Sequence, residues 1–174
     1  MDIFSTFLAG VKIIEPKVHN DSRGFFLESY KEKSYIENEI NLRFVQDNRS
    51  RSSKNVLRGL HFQVNRPQGK LVSCTHGKIF DVVADINPRS STYGRYISVN
   101  LSGENNKQLW VPPGYAHGFC VLSETADIYY KCTEYYDGKD ESGVRWDDPI
   151  LDIKWPIKNP LLSDKDKNYS LLKK

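Results

Sequence analysis

Cysteine is scarce in this 174-residue chain: Cys74, Cys120 and Cys132 are all there is. Three single, widely spaced thiols make neither a disulfide framework nor a paired metal-ligand motif, and they read as reduced cysteines of a cytoplasmic protein. No stretch approaches the roughly 18–20 consecutive apolar residues that a membrane helix needs. The opening segment MDIFSTFLAG carries an acid at Asp2 and too short an apolar run for a signal peptide. An excess of one charge is missing as well. Twenty-five basic residues against 22 acidic ones leave +3, a balance that does not argue for nucleic acid, which calls for a clustered basic face. There is no Pro/Gly/Ser-rich linker, low-complexity tract or internal repeat, so residues 1–174 read as one domain. Aromatics at 12% and apolar residues at 39% exclude a disordered chain. Helical periodicity is the last thing in short supply. Only Lys31–Ile40, with Tyr35, Ile36 and Ile40 at suitable spacing, predicts a helix.

Strand patterning is abundant. Arg95–Leu101 alternates Ile97, Val99 and Leu101 against Tyr96, Ser98 and Asn100. Ile79–Ile86 puts Phe80, Val82, Ala84 and Ile86 on one face and Asp81 and Asp85 on the other. Further strands are expected over Val11–Ile14, Phe25–Tyr30, Phe44–Arg49, Val56–Gln63, Lys70–Thr75, Gln108–Val111, Gly118–Leu122 and Asp127–Glu134. About ten short strands between turns predict an all-β fold, an antiparallel sandwich or barrel. Beyond Trp146, Asp148-Pro149, Trp155-Pro156 and Asn159-Pro160 interrupt regular structure, so a meandering tail anchored on the barrel by its tryptophans is expected.

Chemistry is sought first at the four histidines. His19 lies in the polar segment Lys17–Arg23 and His76 precedes Gly77 at a hairpin turn, and both read as solvated turn residues. His61 stands mid-strand in Leu57-Arg58-Gly59-Leu60-His61-Phe62-Gln63, where alternation sets Leu57, Gly59, His61 and Gln63 on one face. It is either a pocket wall or a hydrogen-bonded core histidine, because a buried imidazole needs a partner. His117 enters a strand from the turn Val111–Tyr115 with small neighbours on both sides, and spacing alone leaves its role open. A metal-binding His-x-His pair is absent: the position reads His61-Phe62-Gln63, and an amide is a poor ligand where imidazole is preferred. Elsewhere each polar feature has an ordinary explanation. Arg23 could close a charged hairpin or fork a phosphate, Gln46-Asp47-Asn48-Arg49-Ser50 is as polar as an edge strand, and Lys70 opens a strand.

Taken together, these strings resemble one family. Asp21-Ser22-Arg23-Gly24-Phe25-Phe26-x-Glu28, Gln46-x-Asn48, Leu57-Arg58-Gly59-Leu60-His61-Phe62-Gln63 and Gln68-Gly69-Lys70-Leu71 occur in the order found in dTDP-4-dehydrorhamnose 3,5-epimerases. So do Pro113-Gly114-Tyr115-Ala116-His117-Gly118-Phe119, Tyr130-Lys131-x-Thr133-x-Tyr135-Tyr136, Glu141-x-Gly143-Val144-x-Trp146-x-Asp148-Pro149 and Leu162-Ser163-x-Lys165-Asp166. The likeness spans residues 11 to 166. Two departures are Ser91, where proline is common, and a short Val64–Pro67 segment.

The resemblance implies a cupin-like antiparallel jelly roll with a few short helices, a homodimer that exchanges N-terminal strands, and an isomerase needing neither metal nor redox cofactor. It implies a dTDP-linked 4-keto-6-deoxyhexose as substrate, with His61 as base, Asp166 orienting it, Lys70 near the C4 oxygen and Tyr130 as acid. Tyr136 is expected against the thymine, and Arg58, His117, Glu141 and Lys165 on the substrate. Gln46, Asp47 and Asn48 match a nucleotide-sugar-binding strand, and Arg23, Phe26 and Glu28 match positions that reach a neighbouring subunit's site. Strict alternation, however, turns Arg58 away from His61, so a β-bulge is expected at Gly59. Other readings keep the fold and change the activity: a C3-only or C5-only epimerase, a non-catalytic sugar-nucleotide binder, or a metal-dependent oxygenase.

Overall fold

The computed structural model describes residues 1–173. In chain order its elements are β1 (Asp2–Ser5), β2 (Lys12–Glu15), β3 (Val18–Asp21), β4 (Gly24–Leu27), α1 (Glu32–Ile36), β5 (Gln46–Ser53), β6 (Leu57–Gln63) and β7 (Lys70–His76). There follow β8 (Lys78–Ala84), β9 (Tyr96–Ser102), β10 (Gln108–Val111), β11 (Ala116–Val121), β12 (Thr125–Cys132), β13 (Glu141–Gly143) and α2 (Asp164–Lys167). The strands form a six-stranded sheet, β1-β2-β10-β7-β12-β5, and a five-stranded sheet, β13-β6-β11-β8-β9, with β3–β4 as a separate hairpin. All strand pairings within the sheets are antiparallel. This is the all-β antiparallel sandwich expected from the alternation, and the jelly roll that the resemblance implied.

The core lies between the two sheets. Val72 and Cys74 of β7, Leu109 and Val111 of β10 and Ile128 of β12 meet Ile79 and Val83 of β8, Leu101 of β9 and Val121 of β11. A second cluster covers the outer face of the five-stranded sheet, where Val82 and Ala84 pack against Leu151 and Ile153 of the tail. Trp155 lies edge-on to Phe80 with centroids 5.9 Å apart, and its Nε1 donates to the Trp146 carbonyl at 2.8 Å. The tail is thus held by an apolar face, an indole hydrogen bond and backbone hydrogen bonds such as Leu57 N to the Leu161 carbonyl and Leu161 N to the Asn55 carbonyl.

Four local differences from the expected elements have physical causes. The helix over Lys31–Ile40 shortens to Glu32–Ile36 because Glu39 takes a positive φ and Ile40 N turns back to the Tyr35 carbonyl, burying Ile40 beside Tyr35, Leu71 and Trp110. β12 stops at Cys132, not Glu134, because Gly69 N and Gln68 Nε2 draw Thr133 and Glu134 aside. His19 sits on β3 of the exposed hairpin and not in a loop. The short β1, β13 and α2 carry too few residues for periodicity to register.

The expected bulge at Gly59 is present. Between the pairs His61–His117 and Arg58–Phe119, β6 advances three residues while β11 advances two. Gly59 has φ +110°, and a Cβ there would stand 2.7 Å from Gly118 Cα and the His117 carbonyl, so glycine alone fits. The slip brings Arg58 and His61 to the same cavity.

Candidate active site

A cavity of about 360 Å³ opens between the sheets. His61 and Arg58 of β6 and His117 of β11 line it from the five-stranded sheet, while Lys70 of β7, Tyr130 of β12 and Gln46 and Asn48 of β5 line it from the six-stranded sheet. Tyr136, in the loop after β12, and Glu141, the first residue of β13, complete the wall. Tyr136 therefore reaches the cavity from a loop and not from the strand that carries Tyr130.

His61 is held on three sides. Its Nε2 lies 2.6 Å from Asp166 Oδ1, and Asp166 is buried at the start of α2. Burial works to raise the Asp166 pKa, but hydrogen bonds from His61, from Ser163 Oγ at 2.7 Å and from the Gly59 amide outweigh it and leave the carboxyl below its usual range. An ionised carboxylate only accepts, so Nε2 donates to it, and in the neutral form of the ring the lone pair is on Nδ1. The Tyr169 ring meets the imidazole edge-on at 5.7 Å and 68°.

Glu141 collects donors beside this imidazole. Its Oε2 accepts from Tyr136 OH at 2.5 Å and Lys165 Nζ at 2.6 Å, its Oε1 from Tyr169 OH at 3.3 Å, and Oε1 stands 4.0 Å from His61 Nδ1. Burial opposes ionisation of Glu141, yet these donors hold its pKa below the ordinary value. Tyr136, bonded to that carboxylate, is pushed up to about 12.

The opposite wall is cationic and hydroxylic. Burial pulls the Lys70 ammonium below the usual lysine pKa, against the attraction of Glu141 and Asp81. Burial also raises the Tyr130 phenol, while Arg58 draws it down. Arg58 Nε donates to Ser52 Oγ at 3.0 Å. His117 Nε2 is 2.8 Å from Oδ1 of the fully buried Asp81, whose Oδ2 has no partner among the described residues. Asp81 was not among the residues expected at the site. Its signal was a charged residue facing inward within an apolar strand, and alternation alone had already set it opposite Phe80 and Val82.

Six expected residues do not line this cavity in the single chain: Lys165 and Asp166 border an adjoining one that shares His61, Tyr136 and Glu141, and four others lie apart. Asp47 lies on the outer face of β5 by simple alternation, bound to Lys131 and Tyr129. Arg23, Phe26 and Glu28 belong to the exposed β3–β4 hairpin and the residue following it, with Arg23 paired to Asp21 at 2.6 Å. Gln63, the residue that replaces a second histidine, donates to the Arg66 and Tyr135 carbonyls and accepts from Asp137 N. Among the described residues no three His, Cys, Asp or Glu side chains converge as metal ligands.

An imidazole bonded to a carboxylate on one side of the cavity thus faces a lysine and a tyrosine on the other. The family model described as dTDP-4-dehydrorhamnose 3,5-epimerase matches residues 5–174. The chain belongs to this family. It is 51% identical over 170 residues to a Shigella flexneri dTDP-4-dehydrorhamnose 3,5-epimerase, covering 97% of this chain and 94% of the relative. Among solved structures it is similar to the dTDP-6-deoxy-D-glucose-3,5-epimerase of Legionella pneumophila in complex with dTDP-4-keto-L-rhamnose, at TM-score 0.95 and 51% identity, covering 98% of this chain and 92% of that one. A 3'-monoepimerase of Streptomyces bikiniensis in complex with dTDP-quinovose is also similar, at TM-score 0.88 and 33% identity, covering 94% and 84%. Among the described residues, no helix is long and apolar enough to cross a membrane.

Proposed function

We propose that this family member epimerises C3 and C5 of a dTDP-linked 4-keto-6-deoxyhexose, turning dTDP-4-dehydro-6-deoxyglucose into dTDP-4-dehydro-L-rhamnose. The observation that carries the reading is the distribution of His61 and Tyr130 over the two sheets that enclose one cavity. Inverting a carbon requires a base on one face and an acid on the other, and one wall cannot supply both.

A C–H bond beside the C4 carbonyl is acidic because its electron pair delocalises onto oxygen. His61 Nδ1 takes that proton, its orientation set by Asp166. The pair moves into the enolate, whose oxygen is met by the Lys70 ammonium. Tyr130 returns a proton from the other wall, and solvent resets both groups. Gln46, Asn48, Arg58, His117, Glu141 and Lys165 hold the sugar diphosphate, and Tyr136 lies against the thymine. Arg23, Phe26 and Glu28, exposed in the single chain, reach the cavity of a second copy in a cytoplasmic homodimer. The steps balance as proton transfers, with no net oxidation.

The test is turnover of dTDP-4-dehydro-6-deoxyglucose in deuterated water, read by NMR. Deuterium at C3 and C5 is expected, and His61→Ala should abolish both. The similarity to a 3'-monoepimerase favours one competing outcome, in which label enters C3 alone. Tight dTDP-sugar binding without exchange would make the chain a binder.

A further inference from the structure

β12 ends at Cys132 and β13 begins at Glu141, so Tyr136 stands in the connection between the two sheets. Its ring reaches the cavity wall, where the hydroxyl donates to Glu141 Oε2 at 2.5 Å. A ring held at its tip still depends on its backbone for placement. Tyr135, Tyr136 and Asp137 lie outside the strands, so ladder hydrogen bonds do not supply that placement.

Side chains grip the backbone instead. Gln63, the last residue of β6, is only 4% exposed. Its Nε2 donates to the Tyr135 carbonyl at 3.2 Å, and its Oε1 accepts from Asp137 N at 2.8 Å. One amide therefore bonds the peptide on either side of Tyr136. A residue on a neighbouring parallel strand makes the same pair of bonds, so the Gln63 side chain stands in for a strand where the ladder has run out. Its second N–H goes to the Arg66 carbonyl at 2.7 Å, which leaves the amide no donor for a ligand. Tyr136 N itself donates to Gln46 Oε1 at 2.9 Å. All these bonds lie within one chain, so they stand whether or not a second copy meets the cavity.

We infer that Gln63 is a positioning residue for Tyr136: its amide sets the loop whose ring meets the nucleobase, and it is not itself a substrate contact. An amide suits the task because it donates on one side of Tyr136 and accepts on the other. A carboxylate only accepts, and an apolar side chain does neither. Loss of the amide frees 135–137 and lets Tyr136 leave the cavity wall, while His61 keeps Asp166 and Lys70 and Tyr130 keep their strands. The effect falls on nucleotide binding and not on proton transfer. For that effect the inference rests on the proposed place of Tyr136 against the thymine, whereas the grip on the loop does not.

The experiment compares Gln63→Met, Gln63→Glu, Tyr136→Ala and the Gln63→Met/Tyr136→Ala double variant with the wild type. Calorimetric titration with dTDP should give a Kd raised about ten-fold in Gln63→Met, and KM for the dTDP-keto sugar should rise alike while kcat falls less than about three-fold. Gln63→Glu keeps the shape and the acceptor but loses both donors, and it should behave like Gln63→Met. The double variant should bind dTDP no more weakly than Tyr136→Ala, because one residue acts through the other. Amide hydrogen exchange over 135–140 should quicken roughly ten-fold in Gln63→Met, with 78–84 in β8 unchanged. Wild-type dTDP affinity in both Gln63 variants, with Tyr136→Ala weakened, would overturn the inference. So would a double variant whose losses add, or a fall in kcat larger than the rise in KM. Tyr136→Ala binding dTDP like the wild type would sink the thymine reading instead, and the exchange measurement would then decide whether Gln63 sets the loop.

Discussion

His61 and Asp166 are 105 residues apart in the chain and 2.6 Å apart in the fold. β6 carries the imidazole, and the four-residue helix α2 delivers the carboxylate, with Ser163 as its N-cap: Ser163 Oγ accepts from Asp166 N and donates to Asp166 Oδ2. Asp166→Asn keeps the shape but replaces an obligate acceptor with a group that also donates, so Nε2 is no longer required to carry the proton. We expect kcat to fall by roughly 10²–10⁴-fold, the range of a lost general base. Ser163→Ala keeps the Asp166–His61 contact and should cost about ten-fold or less. Steady-state kinetics check both, and equal losses would show that Ser163 does more than orient the carboxylate.

Lys70 gives a prediction about pH. Burial lowers its pKa from 10.5, so the ammonium is lost at a lower pH than an exposed lysine would lose it. Activity that depends on this cation disappears as pH rises through the lowered value. The alkaline limb of the kcat profile should therefore fall below pH 10.5. Lys70→Arg keeps a permanent charge and should move that limb upward, while Lys70→Met should cut kcat by roughly 10²–10³-fold across the range. A profile unchanged by Lys70→Arg would separate the alkaline limb from Lys70.

Much of this is legible in the sequence. Strict alternation in 79–86 and 96–101 announced the sheets, and the conflict between Arg58 and His61 announced the slip at Gly59. Asp47 escaped because a motif groups neighbours in sequence, whereas a strand sends neighbours to opposite faces. Tyr169 escaped for another reason. It follows a four-residue helix in an aperiodic tail, and only the fold sets its ring against His61. Asp81 was visible as a charge inside an apolar strand, but its partner His117 lies 36 residues away on the adjacent strand β11. Local pattern reports faces. It does not report which faces meet.

Gly59 can be tested by adding one carbon. With φ at +110° and a new Cβ 2.7 Å from two backbone atoms of β11, Gly59→Ala faces both an unfavourable dihedral and an overlap that no side-chain rotation relieves. Together these should cost roughly 2–4 kcal/mol. That is a Tm decrease of about 5–15 °C for a chain of this size. Activity measured well below the new Tm should fall too, because restoring the pleat turns Arg58 from the cavity. A wild-type Tm for Gly59→Ala would mean that the slip does not depend on glycine.

Acid should unfold the protein through a few identifiable carboxylates. Hydrogen bonds from Arg51 and Arg49 hold Asp127 well below the usual carboxylate range, the Asn65 and Arg66 amides lower Asp140, and Lys131 lowers Asp47. A carboxyl whose folded pKa is lowered contributes stability that is complete above its unfolded value, about 4, and is lost as pH falls through the folded one. Asp81 acts in the opposite sense, since burial raises its pKa and its charge opposes folding until it is protonated. With Asp166 and Glu141, which are lowered as well, the lowered groups outweigh the one raised group, so Tm should hold level down to about pH 5 and drop below about pH 4. Asp127→Asn and Asp140→Asn should each lower the neutral-pH Tm and flatten that drop, because the variant has no proton left to take up at that position. Thermal melts between pH 7 and pH 3 check this. A drop equally steep in both variants would place the acid sensitivity elsewhere in the fold.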